Sequence, residues 1–183
     1  MIRWLLHKGT RAFEARYDYD ASYQHRLIDI SKGAGLRMAV LPLFSQYRGP
    51  KVGRQVWLGA IFASTLEGDC GPCSQLILDM AAEAGADMAP FRMCAAGQAK
   101  DAGDVGLGFR FAMAAISGDA EADSLRAEIE TAFGAETLAA ATFGAAFGRV
   151  YPVLKRGLGY GKTCQSLKFG DSDVLDFKRA ASG

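Results

Sequence analysis

Apolar residues in this chain recur at spacings of three and four, and glycines stop each run before it grows long. No stretch shows the two-residue alternation of a half-buried strand, so the pattern predicts an all-α fold. The clearest stripe is Cys73, Leu76, Ile77, Met80, Ala81 and Ala84, with Gln75, Asp79 and Glu83 forming a polar row on another face. This helix is expected to begin at Asp69 or Cys70 and to end near Gly85. Ahead of it, Val52 to Leu66 reads as a buried helix, with Val56, Ala60 and Ala63 on one face and Trp57 and Ile61 beside them.

The same reading sets the remaining elements. Helices are expected over Ile2 to Tyr17, from Ala21 with Asp20 as its cap, and over Ala89 to Ala95, Asp104 to Ser117, Glu121 to Phe133 and Ala135 to Tyr151. Gly33 and Gly35 are expected to split the second of these, and Pro42 to interrupt the run Met38 to Phe44. Phe143, Phe147, Val150 and Leu154 share one side, and Pro152 marks an end or bend. The expected organisation is one helical domain over residues 1–183. It comprises N-terminal helices in 1–50, a dithiol hairpin in 51–100, C-terminal helices in 101–170 and a polar, frayed tail in 171–183. The alanine-rich stretches Val52 to Gly85 and Ala135 to Gly161 are candidates for internal copies.

Half of the residues are hydrophobic and 22% are charged, which supports a packed core. A net charge of +1 supplies no global field to draw the chain to nucleic acid. The longest apolar stretches fall well below the roughly 20 residues needed to span a bilayer. Four cysteines are too few for a disulfide-built secreted scaffold of this length, and the N-terminal apolar run is too short for a signal peptide. The expectation is a cytoplasmic protein without membrane or nucleic-acid partners.

The chemistry concentrates at Cys70-Gly71-Pro72-Cys73. Gly-Pro fits the first turn of a helix, and a helix N-terminus stabilises a thiolate. No second Cys-x-x-Cys or Cys/His pair completes a zinc module, so redox chemistry is favoured over metal binding or packing. Position suggests that Cys70, one turn nearer the loop, is the more reachable thiol and Cys73 the more buried. The carboxylates of Glu67 and Asp69 oppose thiolate formation. Cys94 and Cys164 read as small packed hydrophobes, Cys164 the nearer to the dithiol, and His7 and His25 as surface or satisfied histidines rather than ligands. Gly157 to Thr163 fails the phosphate-loop spacing, because Arg156 stands where the first glycine is required, and no other cofactor motif is found. Trp4, Leu5 and Leu6 suit an oligomer contact or a core staple.

Gly53-Arg54 through Cys70-Gly71-Pro72-Cys73-Ser74-Gln75-Leu76 to Asp79-Met80-Ala81 and Ala84-Gly85 resembles the alkylhydroperoxidase AhpD-like, or carboxymuconolactone decarboxylase-like, family. Gly148 to Lys155, running into Leu158 to Gly161, is similar to the same group. The resemblance implies an all-helical fold assembled as a dimer, trimer or hexamer. It also implies a dithiol that reduces a small hydroperoxide or a protein disulfide and is recycled by an external thiol reductant. In that scheme Cys73 attacks and Cys70 resolves, the reverse of the order that exposure suggests. The family's relay histidine falls at Ile77, and its glutamate near Trp57, Leu58 and Gly59, so both are absent. Glu67, Asp69, Tyr160, Lys162, His7 and His25 are the groups left to assist, and spacing selects none of them. The expected function is thiol–disulfide oxidoreduction or weak hydroperoxidase activity. The alternative is a non-catalytic oligomeric or ligand-binding protein with a structural or redox-sensing disulfide.

Overall fold

The computed structural model describes residues 1–161, 166–169 and 174–176. Its helices are α1 (Ile2–Tyr17), α2 (Ser22–Ile30), α3 (Lys32–Val40), α4 (Pro42–Ser45), α5 (Arg54–Glu67) and α6 (Gly71–Glu83), followed by α7 (Ala89–Ala95), α8 (Gly103–Ser117), α9 (Glu121–Phe133), α10 (Ala135–Gly148) and α11 (Val150–Gly157). The fold is therefore all-α, with one small exception at its end.

Helix α5 is the axis of the molecule. Every residue from Val56 to Thr65 is buried, so no polar face is left. It is hydrophobic all round because other helices surround it. Two glycines set the closest approach. A β-carbon at Gly59 would strike the Val105 carbonyl on α8, and one at Gly108 would strike the Val56 carbonyl on α5. The α5 and α8 backbones thus touch, running antiparallel. Helix α10 lies on another side of α5 and runs parallel to it, since Gly53 meets Thr137, Gly144 meets Trp57 and Ile61, and Gly148 meets Ser64. The buried Ser64 hydroxyl donates to the Ala145 carbonyl at 2.6 Å and fixes this register.

The expected aromatic side of α10 does not face the core. Thr137, Ala140, Ala141, Gly144, Ala145 and Gly148 are buried instead. Only small side chains let α10 close onto α5. Phe143 and Phe147 turn outward, where Phe147 stacks on Phe44 at 5.3 Å and Phe143 meets Tyr47 at 5.5 Å.

Three other expectations are corrected. The break between α2 and α3 falls at Ser31, whose hydroxyl caps α3 by accepting from the Gly33 amide, and both Gly33 and Gly35 lie inside α3. Pro152 lies in the first turn of a new helix, α11, where a missing amide hydrogen is harmless. The C-terminal region also holds a two-stranded antiparallel hairpin, β1 (Ser166–Lys168) with β2 (Val174–Asp176), pairing Leu167 with Leu175. Part of the expected tail is therefore ordered. The Gln75 amide supports β1 as a surrogate strand, donating to the Lys168 carbonyl at 3.2 Å and accepting from its amide at 2.8 Å. Lys162 and Cys164 lie outside the described residues.

Helices α1–α3 form a separate layer over α6 and α11, with its own cluster of Tyr19, Ala21, Tyr23 and Met38. Arg16 and Tyr17 at the end of α1 both engage Glu83 at the end of α6. His7 and His25 join α1 to α2 through a 2.7 Å contact between their Nδ1 atoms, and each ring faces a carboxylate, Asp29 and Glu14 respectively. They are satisfied side chains, as expected. Among the described residues no helix is long and apolar enough to cross a membrane.

Candidate functional site

Asp69 holds the chain in a left-handed turn, with φ 54°, between α5 and α6. Asp tolerates that conformation better than most residues. The turn delivers Cys70 to the N-cap of α6, Gly71 and Pro72 to its first turn and Cys73 to the next position. Cys70 and Cys73 form a disulfide with Cα atoms 5.2 Å apart. The Cys73 amide also donates to Cys70 Sγ at 3.3 Å, so the sulfur takes the place of a capping oxygen. A Cys70 thiolate would be stabilised by this amide and by the partial positive charge of the helix end.

The difference in exposure expected between the two thiols is nearly absent, since Cys70 is 7% and Cys73 3% accessible. What separates them is direction. Cys73 lines a cavity of about 640 Å³ between α6 and the α1–α3 layer, and Cys70 does not.

Cys73 has a second polar neighbour that spacing alone could not indicate. Tyr19 Oη lies 3.7 Å from Cys73 Sγ. The Lys155 ammonium donates to the same Tyr19 oxygen at 3.4 Å. Lys155 is only 5% exposed. Its charge lies 4.7 Å from the centre of the Tyr19 ring and 5.4 Å from that of Tyr23, an aromatic setting that offsets lost hydration. Sulfur, phenol and ammonium thus form a buried line running from α6 through the α1–α2 turn to α11.

No family model, curated protein or solved structure matches the chain. The site must therefore be understood from its own geometry.

Of the expected supporting residues, Tyr160 comes nearest to the line. It packs on the Tyr19 and Tyr23 cluster, and its amide donates to the Lys155 carbonyl at 2.8 Å, closing the end of α11. Glu67 instead pairs with Arg149 at 3.1 Å, without hydrogen-bond alignment. Asp69 serves the turn. Ile77 and Trp57, at the positions of the absent relay groups, are buried core residues. Thr65 receives the Ser74 hydroxyl at 3.2 Å and ties α5 to α6 beside the dithiol.

Burial holds the site's phenols in their protonated form. It pushes Tyr19 well above the ordinary phenol value, raises Tyr23, and pushes Tyr151 up to about 12. Tyr19 therefore acts near neutrality as an O–H donor rather than as a base. The free thiol of Cys94 is pushed up to about 12 by burial, which removes it as a competing nucleophile.

These phenols also set an alkaline limit. Each binds its proton more tightly folded than unfolded, so its contribution is complete below pH 10, the ordinary value, and is lost above it, for Tyr151 as pH rises through about 12. Stability should fall across that window by up to about 1.4 kcal/mol per pH unit for each phenol. Urea midpoints at about pH 9 and about pH 11, read beside tyrosinate absorbance, check this, and equal midpoints would contradict it.

Proposed function

We propose that the chain is a dithiol oxidoreductase whose working pair is Cys70 and Cys73. The observation that carries this reading is the line Cys73–Tyr19–Lys155 on a cysteine that borders a cavity. The resemblance of the Gly53–Gly85 stretch to AhpD-like proteins supports the same reading.

In the reductive half-cycle, an external thiolate attacks Cys70 Sγ and forms a mixed disulfide, while Cys73 leaves as a thiolate. Tyr19 donates a hydrogen bond to that thiolate, and the Lys155 charge stabilises it through the phenol. A second thiol equivalent resolves the mixed disulfide and leaves both cysteines reduced. In the oxidative half-cycle, the Cys73 thiolate attacks the distal oxygen of a hydroperoxide. The O–O bond breaks, the departing alkoxide takes up a proton from solvent and leaves as the alcohol, and Cys73 becomes a sulfenic acid. The Cys70 thiol then displaces water and the disulfide re-forms. A disulfide substrate is reduced by the same pair through exchange, with Cys70 resolving the mixed disulfide on Cys73. Tyr19 and Lys155 take the place of the absent histidine and glutamate. We further propose homo-oligomeric assembly, supported by the exposed apolar side chains of Trp4 and Leu5 on α1 and Leu43 and Phe44 on α4.

Turnover of cumene hydroperoxide and of an aromatic disulfide, with dithiothreitol as reductant, tests the reading. Cys73→Ser is expected to abolish both reactions. Cys70→Ser is expected to permit one oxidation event on Cys73 and to stall dithiol cycling. Wild-type rates in the Cys73→Ser protein would refute the proposal.

A further inference from the structure

The cavity beside Cys73 has a chemistry that the dithiol does not explain. Its volume of about 640 Å³ lies inside the range of roughly 300–1,000 Å³ typical of small-molecule sites. The walls are mainly apolar, with Phe13, Met38, Leu76, Ile77 and Met80 among them. The mouth is different. Arg16 and Arg48 both line it, and both guanidinium groups act on the Tyr17 phenol between them. Arg16 is exposed and paired with Glu83, whereas Arg48 is half-buried over the Trp57 ring, 5.3 Å from its centre, and among the described residues its hydrogen bonds go to the neutral Gln46. Arg54 stands behind Arg48, close enough to disfavour its charge, and the buried Arg54 Nε has no hydrogen-bond partner among the described residues. Two arginines thus line the entrance of a mainly apolar chamber, Arg16 paired with Glu83 and Arg48 with no carboxylate partner among the described residues.

We infer that this cavity binds a single-chain amphiphilic anion, with its carboxylate at Arg48 and Arg16 and its hydrocarbon chain laid along Leu76 and Ile77 towards Cys73. A bare hydrocarbon would leave the cationic entrance uncompensated. A hydrophilic anion would leave the apolar walls unfilled. An acyl carboxylate satisfies both ends, and its chain removes apolar surface from water at about 25 cal/mol per Å². Binding goes beyond the dithiol chemistry and does not require it, but it has a consequence there. The chain end covers Cys73 Sγ from the cavity side and leaves Cys70 untouched.

Calorimetric titration of the oxidised protein with sodium dodecanoate, below its micellar range, tests the inference. One dodecanoate per chain is expected. Dodecan-1-ol should bind about tenfold more weakly, and Arg48→Gln should weaken dodecanoate by about tenfold while leaving the alcohol unchanged, each tenfold change being about 1.4 kcal/mol. Leu76→Trp, or Ile77→Trp if the first fails to fold by circular dichroism, fills the chamber and should abolish binding. In the reduced protein, dodecanoate should slow iodoacetamide labelling of Cys73 more than that of Cys70, read by peptide mass spectrometry. The titration contains neither peroxide nor reductant and reads binding alone, so failure of the redox proposal leaves this one standing. The inference is overturned by absence of dodecanoate binding, by equal affinity for acid and alcohol, or by undiminished binding in a folded tryptophan variant.

Discussion

Alanine at position 108 is expected to lower the stability of the chain by about 3 kcal/mol and its melting temperature by about 9 °C. The physical reason is contact between two backbones. An added β-carbon would overlap the Val56 carbonyl and come within 2.9 Å of Val56 Cα, and backbone cannot move aside as a flexible side chain can. Helix α8 must slide away from α5, loosening both core clusters that α5 joins. The better intrinsic helix propensity of alanine offsets this by only about 1 kcal/mol. Gly9→Ala is the matched control. Gly9 is exposed in mid-helix with open space around its Cα, so alanine there should stabilise by up to about 1 kcal/mol. Thermal unfolding of the two variants checks the pair, and a melting temperature for Gly108→Ala within about 2 °C of wild type would contradict the close packing of α5 on α8.

Tyr19→Phe is expected to slow reductive opening of the Cys70–Cys73 disulfide by about 100-fold near neutral pH, the lower end of what a positioned proton donor contributes. Phenylalanine preserves the ring that packs on Phe13 and supports the Lys155 ammonium. It removes only the hydroxyl that reaches Cys73 Sγ. The Cys73 thiolate loses its donor and its link to the lysine charge, so its formation should also move to higher pH. Lys155→Met should give a smaller loss, because the phenol remains. Stopped-flow reduction by dithiothreitol, followed with the thiolate absorbance against pH, separates these effects. A Tyr19→Phe rate equal to wild type with an unmoved pH profile would show the phenol to be a packing residue only.

The helices were legible because their stripes are local. Glu121–Phe133 and Ala89–Ala95 emerge with the bounds that periodicity predicts. The position of the dithiol at the start of α6 was legible for the same reason, since Gly71-Pro72 permits little else. Periodicity put Phe143 and Phe147 on one side of α10 but could not tell which side meets the core. In fact the neighbouring axis, α5, approaches so closely that only alanine and glycine fit between them. The hairpin escaped notice because three-residue strands carry too little alternation, and β1 gains its support from Gln75, some 90 residues earlier. The Tyr19–Lys155 line was illegible for a similar reason. Tyr19 stands between two aspartates in what reads as a turn, and Lys155 reads as one more basic residue near a helix end. The one weak signal was that Lys155 follows Tyr151 by four residues and precedes Leu158 by three, which places a lysine on the apolar face of α11. Sequence separation of 136 residues between the two partners hides the rest.

The central claim is that Cys70 and Cys73 together form the chain's redox centre. The most direct measurement is peptide mass spectrometry of the fully reduced protein after one equivalent of cumene hydroperoxide, with free thiols blocked on quenching. The expected result is a Cys70–Cys73 disulfide formed in step with consumption of the hydroperoxide, while Cys94 remains a thiol. Consumption of hydroperoxide with both cysteines still reduced, or with the oxidation found on another residue, would contradict it.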